Sequence, residues 1–183
     1  MTTPVFNLEK SLQAILYVAS SLKRKDFHKI FKVLYFADRG HLSKYGRSIT
    51  GDTYIKMEYG PVPSNIRDIF SAVRGDSFFA PYATEYKKLF TINGFFVCPN
   101  MAADLDYLSR SDIEEIDESL RIHGEMSMDD LTNKSHDFAW HSTLDNTPIS
   151  VEDILREAGS EEEYIQYIKE QIALDKAVRD AFV

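Results

Sequence analysis

Between Asp26 and Tyr45 the sequence DFHKIFKVLYFADRGHLSKY writes a helix that is apolar on two sides. Phe27, Ile30, Phe31 and Leu34 recur at helical spacing, about 100° per residue, and share one face. Val33 and Phe36 stand on the opposite side, among Lys29 and Lys32. A helix with two apolar sides belongs between layers, so this segment is predicted to be the buried axis of the fold. The alternative is that Val33 and Phe36 form an exposed surface for a partner. Extending the first stripe places Asp38, His41 and Tyr45 on it. A carboxylate and an imidazole three residues apart are neighbours on a helix, and burial is costly for both unless they are hydrogen-bonded. Asp38 and His41 are therefore predicted to pair, with each other or with backbone.

The chain then turns. Tyr45-Gly46 and Thr50-Gly51-Asp52 read as turns, and Thr53–Tyr59 (TYIKMEY) has the β-branched and aromatic content of a strand. Gly60-Pro61-Val62-Pro63 is expected to stop that strand in a stiff, shaped loop, because two prolines remove two backbone donors and push their predecessors toward extended geometry, and these four residues are candidate partner contacts because a loop fixed in advance lowers the ordering cost of binding. Ser64 is placed to cap the helix from Asn65 to Val73, which ends at Arg74-Gly75.

The order of these pieces resembles the Panacea domain, the SocA-like, phage-associated bacterial antitoxin family formerly known as a domain of unknown function. The resemblance rests on LYFADRGHLSKYGRSITGD from Leu34, with Tyr35, Asp38, His41, Tyr45 and Gly46; on YGPVP after the strand; and on SHDFAW at Ser135–Trp140, with His136 and Trp140. It spans the chain from about Leu8 to the last helix. What it implies is an antitoxin that binds and neutralises a protein toxin encoded beside it, in one known style by delivering the toxin to a cellular protease. The family pairs with toxins of unrelated kinds, so the resemblance does not name the target.

A chain of 183 residues with 44% hydrophobic and 13% aromatic residues has the composition of one globular domain, here expected to span residues 1–183, and not of a disordered or fibrous chain. No run approaches the roughly 20 apolar residues of a membrane span, and MTTPVFNLEK lacks the regions of a signal peptide, so a cytoplasmic protein without a membrane partner is expected. The net charge of −8 hides a division: residues 1–100 carry 14 Lys and Arg against 8 Asp and Glu, and residues 101–183 carry 7 against 21. The acidic half suits a basic partner surface, or the halves attract each other and otherwise present solvated faces. Glu114, Glu115 and Glu118, crowded onto one helix, are the candidate contacts for a basic toxin, because like charges this dense repel until a partner relieves them.

Elsewhere the reading is scaffold. Asn7 caps a first helix to about Leu22, and Asp26 caps the axial helix. KLFTI-NG-FFVCP reads as a hairpin turning at Asn93-Gly94. With TYIKMEY it is expected to give one small antiparallel sheet of about three strands against a helical body, since an isolated hairpin is marginal. Ser111-Asp-Ile-Glu114 has capping-box spacing for a helix to about His123; Ser127 begins a short helix, Ser150-Val-Glu-Asp153 repeats the spacing, and Ser160 opens a long last helix. The fold class is α+β, predominantly α-helical.

Chemical motifs are missing. None of the glycine-rich nucleotide loops, zinc-protease or nucleophile-elbow patterns occurs, and no cofactor is expected. His136 and His141 are five apart, a poor spacing for shared metal ligation. Cys98, the one cysteine, is expected to be a buried or half-buried apolar residue, and Trp140, the one tryptophan, a core residue or an exposed anchor. Two rivals to the antitoxin stand: a DNA-binding regulator, for which no recognition-helix pattern is seen and nucleic acid is not expected, and a small enzyme using Asp38 and His41 as an acid–base pair.

Overall fold

A computed structural model describes residues 5–76 and 83–181. The fold is α+β with helix dominant. Among the described residues nine α-helices run in the order α1 (Leu8–Ser21), α2 (Phe27–Tyr45), α3 (Ser64–Arg74), α4 (Thr84–Leu89), α5 (Arg110–His123), α6 (Met128–Ser135), α7 (Phe138–His141), α8 (Val151–Glu157) and α9 (Glu162–Ala181). Two hairpins interrupt them: β1 (Tyr54–Met57) with β2 (Gly60–Pro63), and β3 (Phe90–Asn93) with β4 (Phe96–Pro99). No helix among the described residues is long and apolar enough to cross a membrane.

Helix α2 is the axis. Its Ile30, Val33, Leu34 and Ala37 belong to a core shared with α1, α3 and α5, whereas Tyr35, Phe36 and Leu42 belong to a second core built with Tyr54, α8 and α9. The two apolar sides of the sequence are thus two cores, one on each side of a single helix. Val33 is fully buried and Phe36 nearly so, and neither forms a partner surface. Even the lysines between them are buried: Lys29 Nζ donates to the carbonyls of His123 and Met126, and Lys32 Nζ to Pro61 O at 2.9 Å.

Helix ends follow local rules. Asn7, Asp26, Ser109, Ser127, Asp137 and Ser150 each accept a first-turn N–H. The box on α5 is Ser109 with Asp112, two residues before the expected Ser111 with Glu114. Both registers satisfy the spacing, and the earlier one wins because Asp112 also meets Lys10 at 2.6 Å and Arg47 at 3.1 Å. Ser64 does not cap α3. Asp52 does so from a distance, accepting from Asn65 N at 3.0 Å and Ile66 N at 2.9 Å.

The sheet differs most from expectation. Gly60-Pro61-Val62-Pro63 is not a loop: it is strand β2, antiparallel to β1 with Tyr54 opposite Pro63 and Met57 opposite Gly60. The two prolines fall on one parity, which leaves Val62 between them to donate to the ladder. Gly60 opens this strand at φ 93°, where an added Cβ would lie 2.7 Å from Lys32 Cε and would collide with Ser135 Oγ. The second hairpin does not join the first. Strand β2 packs on α2, whereas β3 packs on α3 and β4 on α1. Each hairpin finds support elsewhere: Lys56 N donates to Thr147 O at 3.0 Å and Ile149 N to Tyr54 O at 2.8 Å, while Phe27 N donates to Phe95 O and Val97 N to Lys25 O. One sheet of about three strands is therefore replaced by two sheets of two. The second hairpin turns at Gly94-Phe95, one residue later than expected, with positive φ at Gly94 and not at Phe95, the pattern of a type II′ turn.

Candidate functional site

The signature residues fasten the chain together. Asp38 is buried and accepts from Ile49 N at 2.7 Å, Thr50 N at 3.0 Å, Thr50 Oγ1 at 2.5 Å and Tyr54 OH at 2.7 Å. Burial pushes its carboxyl up and these donors oppose the push; burial and the Asp38 carboxylate hold the Tyr54 phenol well above its ordinary range. Asp38 pairs with two backbone amides and two hydroxyls and not with His41. The His41 ring bonds the Arg47 carbonyl through Nδ1 at 2.7 Å, and its Nε2 lies 3.0 Å from Ser111 Oγ and 3.2 Å from Asp112. Burial lowers the His41 pKa. Burial opposes ionisation of Asp112 too, yet Lys10 and the Ser109 capping bonds hold its carboxyl below the ordinary range.

A third carboxylate ties down the later motif. Asp137 accepts from Tyr35 OH at 2.8 Å, Arg39 Nη1 at 2.9 Å and Trp140 N at 3.0 Å. His136 stacks on Trp140 with ring centroids 3.8 Å apart and bonds Glu58 O through Nε2. The indole N–H of Trp140 donates to Met57 O at 3.0 Å, and Lys56 Nζ sits 4.2 Å from the ring centroid. Trp140 is thus a half-buried clasp over the β1–β2 hairpin. These residues hold α2, the hairpin and α7 to one another, and the cavity beside Asp38 holds about 30 Å³, room for one water and no substrate. Asp38 and His41, each committed to different partners, do not form the acid–base pair of the enzyme alternative.

Other expected surface residues also move. Pro61 and Pro63 are buried and Val62 half-buried. Glu115 is buried against Lys44 at 2.6 Å, while Glu114 and Glu118 are exposed and meet Arg110 and Arg121 at 2.8 and 2.7 Å. The acidic helix carries its own counter-charges, so the repulsion that called for a basic toxin is already relieved. Tyr45, expected on the buried stripe, is 49% exposed, because the helix end at Gly46 (φ 74°) turns it outward. Cys98 is exposed, not buried, since its neighbour Val97 takes the inner face of β4.

What the sequence reading missed is a groove. It runs between the first turns of α2, helix α3 and the tips of both hairpins, holds about 790 Å³, and is lined by Phe27, Phe31, Met57, Tyr59, Phe95 and Phe96 among others, a size within the roughly 300–1,000 Å³ of binding clefts. Tyr59, Phe95 and Phe96 are each more than half exposed. Phe27 meets Phe95 edge-on at 5.7 Å, and the Arg74 guanidinium covers both rings at 5.4 and 4.9 Å. Arg24 and Arg67 complete a cationic rim, against Asp26 and Glu58. A signal was present: Tyr59 and Phe95 occupy hairpin tips, where polar residues are the rule, and exposed aromatics clustered there mark an interaction surface.

Fold and site together define a helical α+β domain whose signature residues are structural and whose exposed apolar groove lies elsewhere. A family model described as Antitoxin SocA-like, Panacea domain, matches residues 30–141, more than half of the chain, and the chain belongs to that family. Comparison with curated proteins and with solved structures finds no match.

Proposed function

We propose that this chain, acting as one domain, is an antitoxin that neutralises a protein toxin encoded beside it by direct contact, and that the toxin is held at the groove between the two hairpin tips. The observation that carries the reading is the exposed cluster Tyr59, Phe95 and Phe96 beside three arginines. Buried aromatic and arginine side chains supply most of the energy in protein interfaces, and both hairpins are braced by the body, which lowers the ordering cost of binding. The family's antitoxin name supports the same reading. Contact at the groove replaces contact at Glu114 and Glu118.

The test is growth. Expression of the adjacent open reading frame alone is expected to arrest cells, and co-expression of this chain to restore them with the amount of toxin unchanged. Tyr59→Ala with Phe95→Ala is expected to lose protection at equal protein level and equal melting temperature. Protection by the double variant overturns the groove as the contact; protection accompanied by disappearance of the toxin overturns direct blocking in favour of delivery to a protease.

A further inference from the structure

The tip of the first hairpin is held by more than its own ladder. Strands β1 and β2 contribute four residues each, and an isolated two-stranded hairpin is marginal in water. Beyond that ladder, the three successive residues before Tyr59 are gripped by the segment 136–143. Lys56 Nζ donates to Thr143 O at 2.8 Å and lies 4.2 Å from the Trp140 ring centroid. Met57 O accepts the Trp140 indole N–H at 3.0 Å, and Glu58 O accepts from His136 Nε2 at 3.1 Å. The two rings that make these bonds stack at 3.8 Å with planes 13° apart, so each fixes the orientation of the other. Asp137 stands between them in the chain, accepts from Trp140 N, and is tied to α2 by Tyr35 OH and Arg39. A line of contacts therefore runs from the buried axis through Asp137, His136 and Trp140 to the backbone that carries Tyr59.

Tyr59 is where this line meets the groove. It is 54% exposed and lines the groove, as do Met57 and Glu58, whereas His136 and Trp140 do not. The opposite tip has an equivalent anchor: Phe95 O accepts from Phe27 N at 3.0 Å, and Arg74 Nη1 donates to Gly94 O at 3.4 Å. Each aromatic wall is thus fixed by donors that lie outside its own hairpin, and the width of the groove depends on both. On the reading that the toxin sits in this groove, we propose that His136 and Trp140 are positioning residues for it: they hold Tyr59 at the spacing from Phe95 that the toxin meets, and govern binding without touching the toxin. The physical reason is the cost of order, since a tip that wanders in the free protein must be fixed at the moment of binding and that cost is subtracted from affinity. A role in stability alone gives a different result, in which affinity follows melting temperature.

Position and stability are separated by two kinds of variant. His136→Phe with Trp140→Phe removes both donors to Met57 and Glu58 and keeps two stacked rings. Ile15→Val, at a fully buried position in the first core, loses stability without touching the hairpin. In the chain alone, amide hydrogen exchange followed by NMR is expected to speed up about tenfold at Met57 and Gly60 in the double variant and not at core amides. These two residues are the pair nearest the tip. Ile15→Val is expected to show no such local contrast. Toxin affinity measured by calorimetry is expected to weaken about tenfold in the double variant and to stay within about twofold in Ile15→Val. Exchange at Met57 and Gly60 that matches the wild type overturns the proposal. So does an affinity in the double variant equal to wild type, or one that falls only in step with melting temperature. Tyr59→Ala with Phe95→Ala is titrated beside them. If that variant loses binding while the His136 and Trp140 variant keeps it, the positioning role alone fails; if it binds as the wild type does, the groove fails as the contact and the positioning role falls with it.

Discussion

At the scale of the residue, the consequence of α2 lying between two cores is that Lys29, Lys32, Asp38 and His41 are cut off from bulk water and each needs named partners. Asp38 collects four donors from the segment Ile49–Tyr54. Hydrogen bonds to a charged group contribute about 1.5–3 kcal/mol each way of counting, and donors left unsatisfied in the interior cost a similar amount. Asp38→Ala is expected to destabilise the fold by about 3 kcal/mol, a fall in melting temperature of about 6–12 °C for a chain of this size, measurable by thermal denaturation. Two imidazoles make stability depend on pH. Burial pushes His28 and His123 down to about 4 from an ordinary 6.5, and His123 stacks on Phe36 at 4.0 Å. The unfolded chain binds protons at these sites first, so stability is intact above about pH 6.5 and declines as pH falls toward about 4. Burial raises Asp38 and Asp52, which acts in the opposite sense at the acid end of that range. His123→Phe should flatten the decline in urea melts taken across these pH values, because Ser119 keeps its bond to Val33 O at 2.8 Å without the imidazole.

At the scale of the element, what was legible in the sequence was what short-range physics decides. Asn7, Asp26, Ser127 and Ser150 begin their helices as spacing predicts, because an N-cap needs only its own next turn. The turn of the second hairpin, one residue late, is a local failure; the others involve a distant partner. Asp52 displaces Ser64 as the cap of α3 from twelve residues away, Lys10 and Arg47 select Ser109 over Ser111, and neither could be read from the windows that contained them. The hairpins were sited correctly in part, but whether two hairpins share a sheet depends on which helices stand between them. The groove was invisible for the same reason, since its wall comes from α2, α3, α6 and both hairpins. The acidic helix α5 shows the difference in a testable way. Charge reversal of Glu114 and Glu118 to Lys, both exposed and paired within their own helix, is expected to leave the melting temperature unchanged. Glu115→Lys should lower it clearly, because Glu115 is buried against Lys44 and Gly40.

At the scale of the whole molecule the two halves of opposite charge turn out to be bonded to each other. Lys10 and Arg47 reach Asp112, Lys44 reaches Glu115, Arg39 reaches Asp137 and Lys56 reaches Asp145, all from the basic half to the acidic one. The division therefore serves folding first. The arginines on the groove's rim find acids within the same half: Arg24 meets Asp26, Arg67 meets Asp68 at 3.5 Å and Arg74 meets Asp76. The groove therefore presents aromatic side chains more than net charge, and on the proposed reading a toxin is held there chiefly by apolar contact. Salt is then expected to matter little, because screening acts on charges separated across water and not on buried apolar surface. Calorimetric titration at about 50 and about 500 mM salt should give affinities within a few-fold of each other, with Tyr59→Ala and Phe95→Ala weakening binding equally at both. An affinity that collapses at the higher salt would place the contact on the charged faces and not in the groove.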